Sequence, residues 1–174
     1  MILTGPQIHA ARAQGQIVID PFEPGSVNPN SYNFRLGPTL HVYRCEVFDP
    51  RVEPEVEAIT IPEQGFVLEA SRLYLAASLE VMGSDFFVPT FTARSSVARL
   101  GLFINLSATL GDIGFLGQWT LQLFAAQPIR IYPGMKIGQI SWWQPVGEIA
   151  LYAGKYQHSQ GPAATRIYRD FAPA

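Results

Sequence analysis

Fifteen glycines and fourteen prolines punctuate a chain of 174 residues, and the segments left between them are short. Glycine supplies the backbone freedom that turns need, and proline removes an N–H donor, so both interrupt long helices. Runs at 16–20, 32–36, 40–45, 58–61, 66–68 and 73–76 alternate or are continuously apolar and end at Gly, Pro or polar residues, which predicts β-strands. Segments 102–107, 119–124, 129–132 and 135–143 read the same way. Pro89 inside 86–92 predicts an edge, a bulge or two short strands. Gly138 marks a bulge or a close backbone approach. Helix is predicted in two places. Thr4 with Gln7 forms a capping-box pattern ahead of Ile8 and Ala11, with Arg12 on the polar side and Gly15 as the stop. Residues 95–100 suffice for about one turn. The expectation is an all-β fold in a single domain over 1–174, with no βαβ pattern.

Hydrophobic residues make up 48% of the chain and charged residues 15%. So few charges imply that another subunit covers much of the surface. Twelve Lys and Arg against fourteen Asp and Glu give a net charge of −2 with no basic run, so no nucleic-acid partner is expected. No apolar run approaches the roughly 18 residues of a membrane span, and the N-terminus lacks a signal-peptide pattern, so the expected location is the cytoplasm with no membrane partner. Cys45 alone cannot build a disulfide framework. His9, His41 and His158 fall in no metal-ligand spacing, so no protein-held metal is expected, and a His/Cys/Cys zinc centre is excluded.

Three segments can carry chemistry. Arg94, Ser95 and Ser96 offer a guanidinium fork, two hydroxyls and the backbone N–H groups of a short turn, and Arg99 follows Ser95 by four residues. Phosphate oxygens favour such a set, and an ordinary capped turn with exposed arginines is the alternative. Asp112 lies between Gly111 and Gly114. Its carboxylate can receive a sugar hydroxyl, orient water or hold Mg²⁺ through water, or it can simply close an Asx-turn. Gln122 stands in the apolar run 119–124, on one strand face with Thr120 and Phe124. It can recognise an amide-like base edge or serve as a core amide, and it cannot remove a proton at neutral pH. Asn105 has the same limits. Trp142 and Trp143 fit a core or a subunit contact better than a base-stacking role. The polar tail from Gly154, with Lys155, Tyr156 and Gln160, is either a lid over a polar ligand or a plain surface tail.

Taken in order, these segments resemble the dCTP deaminase family, part of the wider dUTPase fold group. The likeness covers nearly the whole chain. It runs from Met1-Ile2-Leu3 through Pro29-Asn30-Ser31-Tyr32-Asn33-Phe34-Arg35-Leu36-Gly37, the Arg94 to Arg99 turn, the Gly111 to Gly117 loop and Pro133-Gly134-Met135-Lys136-Ile137-Gly138-Gln139 to Lys155-Tyr156 and Gln160-Gly161. The resemblance implies a distorted β-barrel or jelly roll, a homotrimer with nucleotide sites between subunits, and a C-terminal tail over 154–174 that closes on the triphosphate. Arg94, Ser95, Ser96 and Arg99 match phosphate-site and catalytic positions. Asp112 matches the aspartate beside the deoxyribose, which helps to activate water in dUTP-cleaving relatives. Lys155, Tyr156 and Gln160 match the closing tail. The backbone at 106–109 would line the base pocket, with Asn105 and Ser107 as further nucleotide-binding candidates. Ser95, Arg99, Asp112 and Gln122 are the catalytic candidates. Family deaminases carry glutamate where this chain has Gln122, the base that activates water against C4 of cytosine. They also commonly carry histidine at the position of Asn105, glycine at Ala93 and aspartate at Asn33. The implied reaction is dCTP plus water to dUTP plus ammonia on a pyrimidine deoxynucleoside triphosphate accompanied by Mg²⁺. The alternatives are a dUTPase-like diphosphatase using Asp112 and Mg²⁺, and a trimer that binds nucleotide without turning it over.

Overall fold

The computed structural model describes residues 1–171. Helix α1 (Gly5–Ala13) opens the chain and buries Ile8 and Ala11 against the sheets. Thr4 occupies its N-cap without a side-chain cap bond, so the expected capping box does not form. Pro6 falls in the first turn and removes one of the N–H groups that the Thr4 hydroxyl would reach.

Eleven strands follow among the described residues: β1 (Val18–Asp20), β2 (Tyr32–Arg35), β3 (Thr39–Tyr43), β4 (Val56–Thr60), β5 (Phe66–Leu68), β6 (Leu73–Gly83), β7 (Val88–Ala93), β8 (Leu102–Phe103), β9 (Leu116–Ala125), β10 (Ile129–Ile131) and β11 (Lys136–Trp143). A four-residue helix α2 (Ser95–Ala98) separates β7 from β8. The main sheet runs β4-β3-β6-β9-β8, and β1 pairs with the far end of β6. A second sheet runs β2-β11-β7, and β5 pairs with β10. The fold is thus mostly β, with open sheets and one short N-terminal helix. Pro89 sits on the edge strand β7, where its missing N–H breaks no inner ladder, and the β11–β2 register shifts between Lys136 and Gly138.

The two larger sheets meet over a core that includes Trp142, Tyr32, Phe34, Leu36, Leu40 and Met82, all fully buried. The longest strand pair, β6 with β9, changes register between Ala77 and Val81. Side chains take up the ladder bonds lost there. Ser78 Oγ accepts from Trp119 N at 2.8 Å and donates to Glu80 O at 2.7 Å, and Gln118 Nε2 donates to Leu79 O at 2.9 Å. The Glu80 carboxylate is fully buried and accepts from the backbone N and the Nε of Arg35 at 2.9 and 2.7 Å, tying β2 to β6. The strand expected over 102–107 stops at Phe103. Beyond it the Asn105 side chain both accepts from and donates to the backbone of Ala108, and that local turn competes with the ladder.

Candidate active site

Strand β9 builds the floor of the site by simple alternation. Trp119, Leu121 and Leu123 point into the core, and Gln118, Thr120 and Gln122 line the opposite face. This face borders a cavity of about 340 Å³. Leu75, the cross-strand partner of Gln122, adds an apolar side chain beside it. Asp112 and Ala108 close one wall, and Tyr152 and Tyr156 of the tail close another.

Asp112 is exposed to the cavity and, among the described residues, its carboxylate has no hydrogen-bond or ion-pair partner. Two glycines place it. Gly111 packs so closely on the Trp119 ring and on Pro89 that a Cβ has no room. Gly114 has φ +90°, and a Cβ there would lie 2.7 Å from Tyr152 N. Behind Asp112, Phe115 and Trp119 pack edge to face with centroids 4.9 Å apart.

Gln122 Oε1 accepts from Leu106 N at 3.3 Å, while the backbone N of Gln122 bonds Ile104 O at 2.9 Å. The other polar groups on the β9 floor are tied to the tail. Gln118 Oε1 accepts from Gly161 N at 2.6 Å and Thr120 Oγ1 from Ala163 N at 3.0 Å. Tyr43 joins from β3, its hydroxyl accepting from Thr165 N at 2.9 Å. Burial pushes the Tyr43 hydroxyl above its ordinary pKa, and the Thr165 N–H offsets part of that. Gln157 bonds Leu116 N and Gly114 O at 2.9 and 2.7 Å. The tail from Tyr152 to Thr165 therefore lies along the cavity rather than away from it. The closing-tail expectation also includes residues 172–174, which lie outside the described residues.

The structure brings Asp112, Gln122 and Tyr156 to one cavity. Lys155 is paired with Asp170 at 2.6 Å, and Tyr156 accepts from Arg166 N at 2.9 Å through its hydroxyl. Gln160 is exposed one residue before Gly161. Asn105 spends its amide on Ala108, and Ser107 is exposed in the same loop without lining the cavity. The Arg94 to Arg99 turn does not line this cavity. It follows β7 in the other sheet, with Arg94 half-buried beside Lys136 and with Ser95, Ser96 and Arg99 exposed. Gln118, Thr120, Tyr43 and Thr165 were not anticipated. Alternation along β9 signals the first two, and no local signal points to the others, because they meet across the fold.

Among the described residues no group of three or more His, Cys, Asp or Glu is placed to hold a metal ion, and no helix is long and apolar enough to cross a membrane.

An all-β scaffold with a polar-floored cavity, one free carboxylate and a tail laid along its rim defines a protein built to enclose a small polar ligand. A family model described as dCTP deaminase-like matches residues 2–144. Proteins named "dCTP deaminase, dUMP-forming" from Hathewaya histolytica and Clostridium acetobutylicum are 46% and 44% identical over 172 residues, spanning 98% of this chain and 99% of each relative. One of the same name from Cytophaga hutchinsonii is 42% identical over the same span. The crystal structure of 2'-deoxycytidine 5'-triphosphate deaminase from Agrobacterium tumefaciens shares the fold, with TM-score 0.63 and 22% identity over 81% of this chain and 47% of that one, so this chain spans about half its length. The chain belongs to the dCTP deaminase-like family.

Proposed function

We propose that this enzyme hydrolyses dCTP and dUTP to dUMP, the product its relatives are named for, in the cavity shared by Asp112 and Gln122. The observation that carries the reading is the meeting of these two side chains in one cavity, at the ends that the family resemblance assigns to the sugar and to C4 of the base. Starting from dCTP, two waters are consumed. One adds at C4 and ammonia leaves. The other attacks the α-phosphorus, the bond to the α,β-bridging oxygen breaks, and pyrophosphate leaves.

The pyrophosphate-releasing half is the better equipped. Asp112 is an unpaired carboxylate, able to orient the attacking water and to take its proton. The triphosphate enters as its Mg²⁺ salt, which lowers the charge the leaving pyrophosphate must carry. The residues fit that arrangement, in which the metal travels with the substrate and Asp112 is the acidic side chain at hand. The Arg94, Ser95, Ser96 and Arg99 set supplies phosphate contacts from a neighbouring copy in a homotrimer, and Lys155, Tyr156 and Gln160 close on the triphosphate from the tail. At the base end Gln122 holds water or base by hydrogen bonds, and an amide in place of a carboxylate base slows C4 hydrolysis by about 10²–10⁴.

Separation of all products after incubation with Mg²⁺ and dCTP or dUTP tests the reading. dUMP and pyrophosphate are expected from dUTP, with ammonia appearing more slowly from dCTP. Asp112→Asn keeps the shape and is expected to lower pyrophosphate release by about 10²–10⁴. An unchanged rate in that variant removes Asp112 from the chemistry and the reading with it.

A further inference from the structure

Every polar side chain on the cavity floor has a partner except at two points. Gln118, Thr120 and Tyr43 are each used by a backbone N–H of the tail, and Ser159 Oγ donates to Tyr156 O at 2.6 Å. Among the described residues, the Asp112 carboxylate, an acceptor, and Gln122 Nε2, an N–H donor, have no partner, while the Thr120 and Tyr43 hydroxyls accept from the tail and keep their O–H donors. One contact orients the Gln122 amide. Leu106 N–H donates to Oε1 at 3.3 Å, whereas the flipped amide would set Nε2–H against Leu106 N–H, donor to donor. The two bonds between Asn105 and Ala108 hold the loop that carries Leu106, so this N–H does not turn away. The cavity therefore offers an N–H donor where the base edge would lie.

We infer that Gln122 is a specificity residue that turns this site toward 4-oxopyrimidine deoxynucleoside triphosphates and away from 4-amino ones. The inference rests on the reading of the cavity as a pyrimidine triphosphate site with C4 facing Gln122. A 4-oxo group accepts from Nε2. A 4-amino group meets it donor to donor, and one of the two is left unpaired in a partly enclosed site. A glutamate at 122 inverts this preference, since its second oxygen accepts from the amine and repels the carbonyl. The chain is thereby biased to the second half of the dCTP-to-dUMP sequence: it takes dUTP directly, whether made in the same cavity or supplied by another reaction that yields a deoxyuridine triphosphate. Uracil and thymine share the 4-oxo edge and differ at C5.

Calorimetric titration of the full chain with Mg²⁺ and the α,β-imido analogues of dUTP, dTTP and dCTP reads the preference without pyrophosphate release, and an ammonia assay on each sample checks that the dCTP analogue keeps its 4-amino group. The dUTP or dTTP analogue is expected to bind about tenfold or more tightly than the dCTP analogue. Gln122→Glu is expected to abolish or invert that ratio, and Gln122→Met, which removes the donor and keeps the length, to bring it near one. Equal or tighter binding of the dCTP analogue by the natural chain overturns the inference, as does an unchanged ratio in a folded variant. Binding of all three without discrimination leaves the proposed function standing and removes only the specificity. Failure of all three to bind removes both.

Discussion

Glutamine and glutamate have nearly the same size and shape, and what separates them near neutral pH is the capacity to accept a proton. Gln122 borders the cavity with one amide atom bonded and the other free, which suits recognition better than proton transfer. Asp112 was legible in the sequence because glycines flank it, and the structure gives those glycines a physical reason. Gly114 has no room for a side chain. An alanine there must hold φ near +90° with its Cβ 2.7 Å from Tyr152 N and 2.8 Å from Leu151 Cβ. Gly114→Ala is expected to cost about 1–3 kcal/mol in urea denaturation. It is also expected to hasten proteolysis within 154–171, because Gly114 O and Tyr152 O both accept from Gln157 Nε2 in holding the tail. An unchanged denaturation midpoint together with an unchanged cleavage rate contradicts this account. Tyr43 and Thr165 were not legible, since a hydroxyl that receives an N–H from the far end of the chain leaves no trace in its own neighbourhood.

Strand β9 was readable and strand β6 only in part, for one physical reason. A period of two shows wherever one face is buried and the other is not, as along β9. On β6 the pattern breaks at residues 78–80, where Ser78 and Glu80 are buried polar groups that stitch the register shift and reach Arg35. A polar run of this kind reads as a loop, so the expected strand ended at 76, although β6 continues to Gly83. The 102–107 segment fails in the opposite sense. It is apolar enough for a strand, but the Asn105 side chain offers its backbone a turn. The Arg35 pair gives this scale its prediction. Its hydrogen bond with Glu80 raises the pKa of the Arg35 guanidinium above the ordinary value, and without that partner the guanidinium still keeps its charge, because arginine does not deprotonate in a protein. Glu80→Ala leaves that charge and Arg35 N–H without an acceptor at a buried junction between strands, and is expected to cost about 3 kcal/mol or more. Glu80→Gln keeps an acceptor and is expected to cost less. Equal stability of all three proteins in urea shows that the junction holds without the pair.

In the molecule as a whole, the Arg94 to Arg99 turn links β7 of one sheet to β8 of the other and does not line the cavity of its own chain. Exposed apolar side chains flank both: Leu100 and Phe103 beside the turn, Leu106 and Leu110 beside the cavity. Together with a charged fraction of only 15%, these side chains fit the homotrimer proposed above. In a homotrimer with head-to-tail contacts, the turn of one copy can face the cavity of the next all the way round the ring. That arrangement makes a quantitative prediction with two inactive proteins. Arg94→Ala copies keep a working cavity and lack the turn, whereas Asp112→Ala copies keep the turn and lack the carboxylate. When the two are co-expressed in equal amounts and assemble at random, a site is complete if its cavity comes from the first kind and its turn from the second. Pyrophosphate release on MgdUTP is then expected to return to about one quarter of the natural value. Each protein alone stays inactive, and light scattering gives the mass of three chains throughout. If every site were built within one chain, no mixture could restore activity. Mixed trimers of the right mass with no recovered turnover would therefore place the Arg94 contacts in the same copy as the cavity and overturn the shared site.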